Sequence, residues 1–213
     1  MRRYLPVGPL ALADFGCGDG PFFSILHRMG YISNQRPVYA VDLQEERLRR
    51  VADRFPFITT VTSTLQSVPS IPDGTLDFVI STMVIEHVVD EDSYLGELRR
   101  VLRVGGMIYL TTVFKRSWAW YFRQRDGQPV LDVSHLREYT DLEGFKALLM
   151  KGNRFAALDA LVLESLWFPL VDPLLFVAAQ RGHLPALASS IRLARRIMIP
   201  VPGYYTLSAI LRA

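Results

Sequence analysis

The chain has 213 residues, half of them hydrophobic and only 21% charged, which suits one large domain with a substantial core and excludes wholesale disorder. Its one cysteine, Cys17, rules out an internal disulfide and a cysteine metal cluster and fits a reducing, cytoplasmic setting. The formal charge of +3 rests mainly on arginine, and no basic stripe is longer than the one from Arg99 to Arg103, so no nucleic-acid partner is expected. No charged leader followed by an apolar core opens the chain, and no secretory signal is expected.

In chain order, the first half alternates strands with helices. "PLALADFG" reads as a buried strand and "PFFSILHRMG" as a helix closed by Gly30. "PVYAVDL" is a second strand, followed by the charged helix "QEERLRRVADRF", and "FITTVTS" a third strand. After a loop rich in Pro, Ser and Asp, "TLDFVISTMV" is the fourth strand. "DEDSYLGELRRVLR" is a helix with acids in its first turn and arginines in its last, as the helix dipole favours, and "GGMIYLTTVF" is a fifth strand. Further on, "DLEGFKALLMKG" reads as a helix, "FAALDALVLESLWF" as a strand or long extended segment, and "GYYTLSAILRA" as a final strand. This alternation implies right-handed crossovers and a doubly wound, mostly parallel α/β sheet covered on both faces.

The first strand ends in "DFGCGDG", where Gly16, Gly18 and Gly20 alternate behind Asp14. A backbone without Cβ atoms lets a ligand approach closely, and a helix start presents unpaired N–H groups. Asp42, ending the second strand, is placed to accept hydrogen bonds from ribose hydroxyls. Together these point to a nucleoside-containing cofactor. A dinucleotide fingerprint needs a third glycine at residue 21 or 23, where Pro21 and Phe23 stand, so a nicotinamide or flavin enzyme is disfavoured.

"DFGCGDG" with Asp42, "IPDGTLDFVISTMVIEHVVD", "ELRRVLRVGGMIYLTT" and "HLREYTDLEGFKALL", in that order, resemble the class I S-adenosylmethionine-dependent methyltransferases over about residues 10 to 165, with a matching last strand at 203 to 213. The resemblance implies a Rossmann-like, seven-stranded sheet with an antiparallel last strand, and S-adenosyl-L-methionine as cofactor. It implies that Asp14, Gly16, Cys17, Gly18 and Gly20 hold the methionine part. Asp42 would take the ribose and Leu43 cover one adenine face. Thr64 and Leu65 would lie in the adenine-contacting turn, with Thr64 where the family often has an acid. Ser81 and Met83 would border the cofactor at the end of the fourth strand.

Methyl transfer from a reactive sulfonium mainly needs alignment and dryness, so no triad is required. His87, in "VIEHV", follows the fourth strand at the cofactor's end of the sheet and is a candidate general base. Met83 stands where a Glu-x-x-Glu-His metal pattern would have its first acid, leaving only Glu86 and His87; His135 and Glu138 have the spacing of a helix turn. No metal is expected.

Only "MRRYLPVGP" precedes the first strand, so closure of the site is expected from residues 168–200, an apolar, arginine-bearing stretch broken by prolines and too often interrupted to cross a membrane. Leu184, Leu187, Ala188, Ile191 and Ala194 share one helical face there. Lid, homodimer contact and membrane-surface helix are the three readings of this insert within a single domain of residues 1–213. The expected activity is methyl transfer to a small-molecule acceptor, quinone-like or lipid-like. Its rival is a non-catalytic module of the same fold, with the acceptor pocket filled by Trp118, Trp120 and Tyr121.

Overall fold

A computed structural model describes residues 4–5, 8–169 and 197–213. Seven strands form one sheet: β1 (Leu12–Phe15), β2 (Val38–Asp42), β3 (Thr59–Thr62), β4 (Leu76–Thr82), β5 (Leu102–Lys115), β8 (Ala157–Pro169) and β9 (Met198–Arg212). Between β5 and β8, β6 (Gln124–Arg125) and β7 (Gln128–Pro129) make a separate two-stranded ribbon. The sheet order is β3-β2-β1-β4-β5-β9-β8, with every pairing parallel except the two that β9 makes. The doubly wound sheet with one reversed strand is therefore the arrangement seen.

Among the described residues the α-helices are α1 (Pro21–Arg28), α2 (Glu45–Arg54), α3 (Glu91–Val101) and α4 (Leu142–Met150). Phe23 and Leu26 of α1 and Leu48 and Val51 of α2 pack in one hydrophobic layer, while Leu95 and Leu98 of α3 and Phe145 and Leu149 of α4 pack in the other. Each such side chain contributes roughly 1.5–3 kcal/mol when fully buried. β1 and the first six residues of β4 are buried throughout, which is why they read as continuous apolar runs instead of alternating ones. The acids at the start of α3 include its N-cap, Asp90, whose carboxylate accepts from the Ser93 amide at 3.1 Å.

The strand order reverses between β1 and β4, and in open α/β sheets ligands bind at the carboxyl ends of the strands at that point. At the far edge, β8 and β9 are longer than the sequence suggests. Trp167 pairs with Pro200, Phe168 with Ile199 and Pro169 with Met198, so both ends of the anticipated 168–200 insert are strand. β9 pairs with β5 only from Tyr204 onward; before that, residues 116–120 cover its other side, the Trp120 amide donating to Pro202 O at 3.1 Å, and no strand pairs there, so the N–H that Pro200 and Pro202 lack breaks no ladder on that side. The helical face from Leu184 to Ala194 lies outside the described residues.

Candidate functional site

The turn after β1 is shaped by positive φ at Gly16 (76°), Gly18 (54°) and Gly20 (66°). A Cβ on Gly16 would sit 2.4 Å from Val84 Cγ2, so bare backbone there lets the turn after β4 press against the turn after β1. Asp42 knits the next strand end to this loop, its Oδ2 accepting from the Gly18 amide at 2.8 Å and its Oδ1 from the Gln44 amide at 2.9 Å. Cys17 is buried between the two acids, and burial together with the Asp14 and Asp42 charges raises its thiol pKa far above the ordinary value. It contributes shape, not a thiolate.

Asp14 is the outlier. It is 1% exposed, and neither carboxyl oxygen has a hydrogen-bond partner. Burial, reinforced by the Asp42 charge, lifts its pKa to about 8. A buried acid without a donor costs stability unless something supplies one. Leu43, just past the end of β2, is a leucine 62% exposed.

Two non-glycine residues in left-handed backbone border the same end of the sheet: Leu65 (φ 72°) and Met83 (φ 55°). Each conformation costs roughly 1–2 kcal/mol and persists because the surroundings fix it. Met83 donates its amide to Thr111 O at 2.9 Å, and the Leu65 amide reaches Ser63 Oγ at 3.3 Å. Thr64 beside Leu65 is exposed. Ser81 is fully enclosed and its hydroxyl is bonded to that of Tyr94, so its side chain braces β4 against α3. Tyr94 lies near both the Asp14 and Glu86 carboxyls; burial, and to a smaller degree these charges, holds its hydroxyl protonated.

Past Met83, the chain turns through Val84–His87, closed by the His87 amide on Val84 O at 2.8 Å. Glu86 points inward with no exposed surface, its Oε2 accepting from Thr112 Oγ1 at 2.8 Å, its Oε1 without a partner. Burial raises the Glu86 pKa above the ordinary value. His87 is exposed, and its Nδ1 donates to Ser134 O at 3.3 Å. It faces His135, whose ring centre is 4.8 Å away. The His135–Glu138 spacing belongs to a non-helical segment, not to the helix turn it suggests, and there His135 Nδ1 donates to Glu138 Oε1 at 3.0 Å. The segment is pinned below β4's turn by the Leu136 amide on Glu86 O at 2.9 Å and by Arg137, which donates to Val88 O at 2.6 Å. The sequence separates His87 from His135 by dozens of residues, and no local signal joins them.

The tryptophans do not plug the site. Trp118 is 63% exposed and Trp120 59%, while Tyr121 packs with Phe122, Phe168 and Tyr204 in an aromatic cluster that Met83 also borders.

Residues 13–110 match the model of a methyltransferase domain family. Over that stretch the chain is similar to the class I S-adenosylmethionine-dependent methyltransferases. It is 32% identical, over 99 residues, to a probable S-adenosylmethionine-dependent methyltransferase of Mycobacterium tuberculosis, an overlap covering 46% of this chain and 34% of that one. It is 28% identical over 112 residues to a ubiquinone biosynthesis O-methyltransferase of Caulobacter vibrioides, covering 51% and 42% respectively. The chain thus spans well under half the length of these curated relatives. Among solved structures, an S-adenosylmethionine-dependent methyltransferase from Mesorhizobium loti superposes with a TM-score of 0.60 at 22% identity, covering 100% of this chain and 95% of that one. The residues present fit the methyltransferase cofactor: Asp14 offers two buried acceptors to an ammonium group, and Asp42 holds the loop that would carry it. Among the described residues no helix is long and apolar enough to cross a membrane.

Proposed function

We propose that this methyltransferase binds S-adenosylmethionine in the cradle formed by Asp14, Gly16, Cys17, Gly18, Gly20, Asp42, Leu43, Thr64, Leu65 and Met83, with Ser81 bracing it, and transfers the methyl group to a small, largely apolar acceptor. The observation that carries the reading is Asp14, a buried acid at a strand switch point with both oxygens unpartnered. A cationic amino group placed there would satisfy it and hold it ionised. Asp42 is fixed by two backbone amides and keeps lone pairs for ribose hydroxyls.

The bound cofactor supplies an electrophilic methyl group on sulfur. The protein's part is to align donor and acceptor and exclude water. Support for an apolar acceptor comes from the aromatic cluster of Tyr121, Phe122, Phe168 and Tyr204 bordering Met83, and from the likeness to a ubiquinone biosynthesis O-methyltransferase. A quinone-like or lipid-like precursor is the class to screen first. At the acceptor end, His87 stands with Glu86 and His135, so the acceptor's reacting atom meets a cluster instead of a lone base.

Calorimetric titration with S-adenosylmethionine and S-adenosylhomocysteine tests the reading. Saturable one-to-one binding, lost in Asp42→Ala, is expected. A folded, monodisperse wild type that binds neither compound overturns it in favour of the non-catalytic module.

A further inference from the structure

The layer that α1 and α2 form reaches across the sheet only as far as Met107 and Tyr109 of β5, and among the described residues none of β8 or β9 joins it. Beyond it, on the same face, lies a cleft of about 310 Å³ whose lining includes Tyr4, Tyr109, Val162, Glu164, Ser208 and Ile210. Strand register brings these side chains to one face: Tyr109 pairs with Ile210, Val162 with Ser208, and Glu164 with Thr206. Counting across the sheet from Asp14, Ile80 comes first and Tyr109 next, so the cleft lies beyond β4 and apart from the cofactor cradle.

Two polar groups in the cleft lack a partner. Ser208 is 8% exposed, and its Oγ is buried without a hydrogen bond. Glu164 is exposed and makes no ion pair among the described residues. Arg212, further along β9, is already held by Asp159 at 2.6 Å. A buried hydroxyl gains from any hydrogen-bond donor, and a carboxylate gains most from a charged one. Tyrosine rings add attraction for a cation, while Val162 and Ile210 offer apolar surface to a carbon chain.

We propose that this cleft binds a primary organic ammonium ion, with its nitrogen donating to the Glu164 carboxylate and the Ser208 hydroxyl. Its carbon chain lies on Val162 and Ile210 beside the rings of Tyr4 and Tyr109. Glu164 and Ser208 are diagonal neighbours across β8 and β9, a relation that sets residues about 7–8 Å apart, so one nitrogen with three donors spans their side chains. An anion would be repelled by Glu164, and a neutral alcohol would leave its charge unpaired. A quaternary ammonium carries no N–H for Ser208.

The test compares n-hexylamine, charged at neutral pH, with 1-hexanol and hexanoate in NMR titrations of the full chain. Saturable millimolar binding of the amine is expected, about tenfold tighter than the alcohol, with hexanoate weaker still. Glu164→Gln, an isosteric change at an exposed position, should erase the preference for amine over alcohol. Ser208→Ala should weaken the amine severalfold. Asp14 could also draw an ammonium ion, so Asp14→Asn is titrated alongside and should bind the amine as wild type does. Equal affinity for amine and alcohol, a preference that survives Glu164→Gln, or loss of binding in Asp14→Asn overturns the site. No saturable binding by folded wild type overturns it too, and a dimer in sedimentation would then identify a second copy of the chain as the occupant. None of these readings depends on the methyl-transfer cofactor.

Discussion

Asp77 and Asp14 are buried aspartates on the adjacent strands β4 and β1, at opposite ends of the sheet, and they are treated in opposite ways. Asp77 accepts from the Ala11 amide at 2.8 Å, from Arg36 at 2.8 Å and from Arg103 at 2.6 Å. Burial alone would raise its pKa, but these donors win and hold it below the ordinary carboxylate value. Asp14 has no donor, and burial takes it to about 8. The difference separates structural from ligand-binding charge. At the amino end of the strands the protein satisfies its own acid, whereas at the carboxyl end it leaves one for a guest to satisfy.

The contrast breaks most visibly at Asp77. Asp77→Ala strands the buried Ala11 amide and two guanidinium groups, and should cost about 3 kcal/mol of stability by denaturant titration while cofactor affinity stays within twofold. Weakened cofactor affinity with near-wild-type stability would reverse the assignment. The converse variant, Asp42→Ala, should weaken S-adenosylmethionine about 100-fold, or about 2.7 kcal/mol, by calorimetry, with much less effect on the melting temperature.

Asp14 sharpens the comparison through pH. Its folded pKa lies above its unfolded one, so between about pH 4 and pH 8 the folded state holds the extra proton and stability falls as pH rises. Asp77 acts the other way, its contribution being present above the unfolded carboxylate range and lost as pH falls through its depressed folded pKa. Asp14→Asn removes the first effect. From pH 5 to pH 8 its stability should gain on wild type by about 2 kcal/mol, half of what the full shift would give over that span. An unchanged gap would mean that the acid is ionised in the empty protein.

Cofactor binding at pH 7 should also release close to one proton from Asp14, read as a dependence of binding enthalpy on buffer ionisation heat. The smallest effect is expected at Gly18, where a Cβ meets only the end of the Arg47 side chain at 3.3 Å. Gly18→Ala should cost about 1 kcal/mol for its left-handed backbone, and weaken cofactor binding severalfold because its amide anchors Asp42.

Most of the proposed cofactor cradle is legible in the sequence because it is local. Asp14, the alternating glycines and Asp42 lie at ends of strands whose apolar runs announce themselves, and parallel topology brings those ends together. Leu65 and Met83 were placed by resemblance, but their left-handed backbone has no sequence signature, since both are residues that normally avoid it. Ser81 was placed correctly along the strand, yet its hydroxyl is spent on Tyr94, a partner one helix away. The Glu86, His87 and His135 cluster could not be read from spacing, because what joins it is a chain crossing held by Arg137 and backbone bonds. The first residues of β9 were hidden by Pro200 and Pro202, which usually mark an end of strand and here sit where only one neighbour needs a ladder.

The β8–β9 hairpin has an engineering consequence. Because Pro169 and Met198 are register partners, the ends of β8 and β9 form one narrow neck. The sequence between them is exchangeable as a cassette. A tight Asn-Gly turn joining the two strand ends would give a minimal protein with its sheet, Asp14 and Asp42 untouched, and cassettes from other chains could then be installed at that neck to redirect which molecules reach the methyl group.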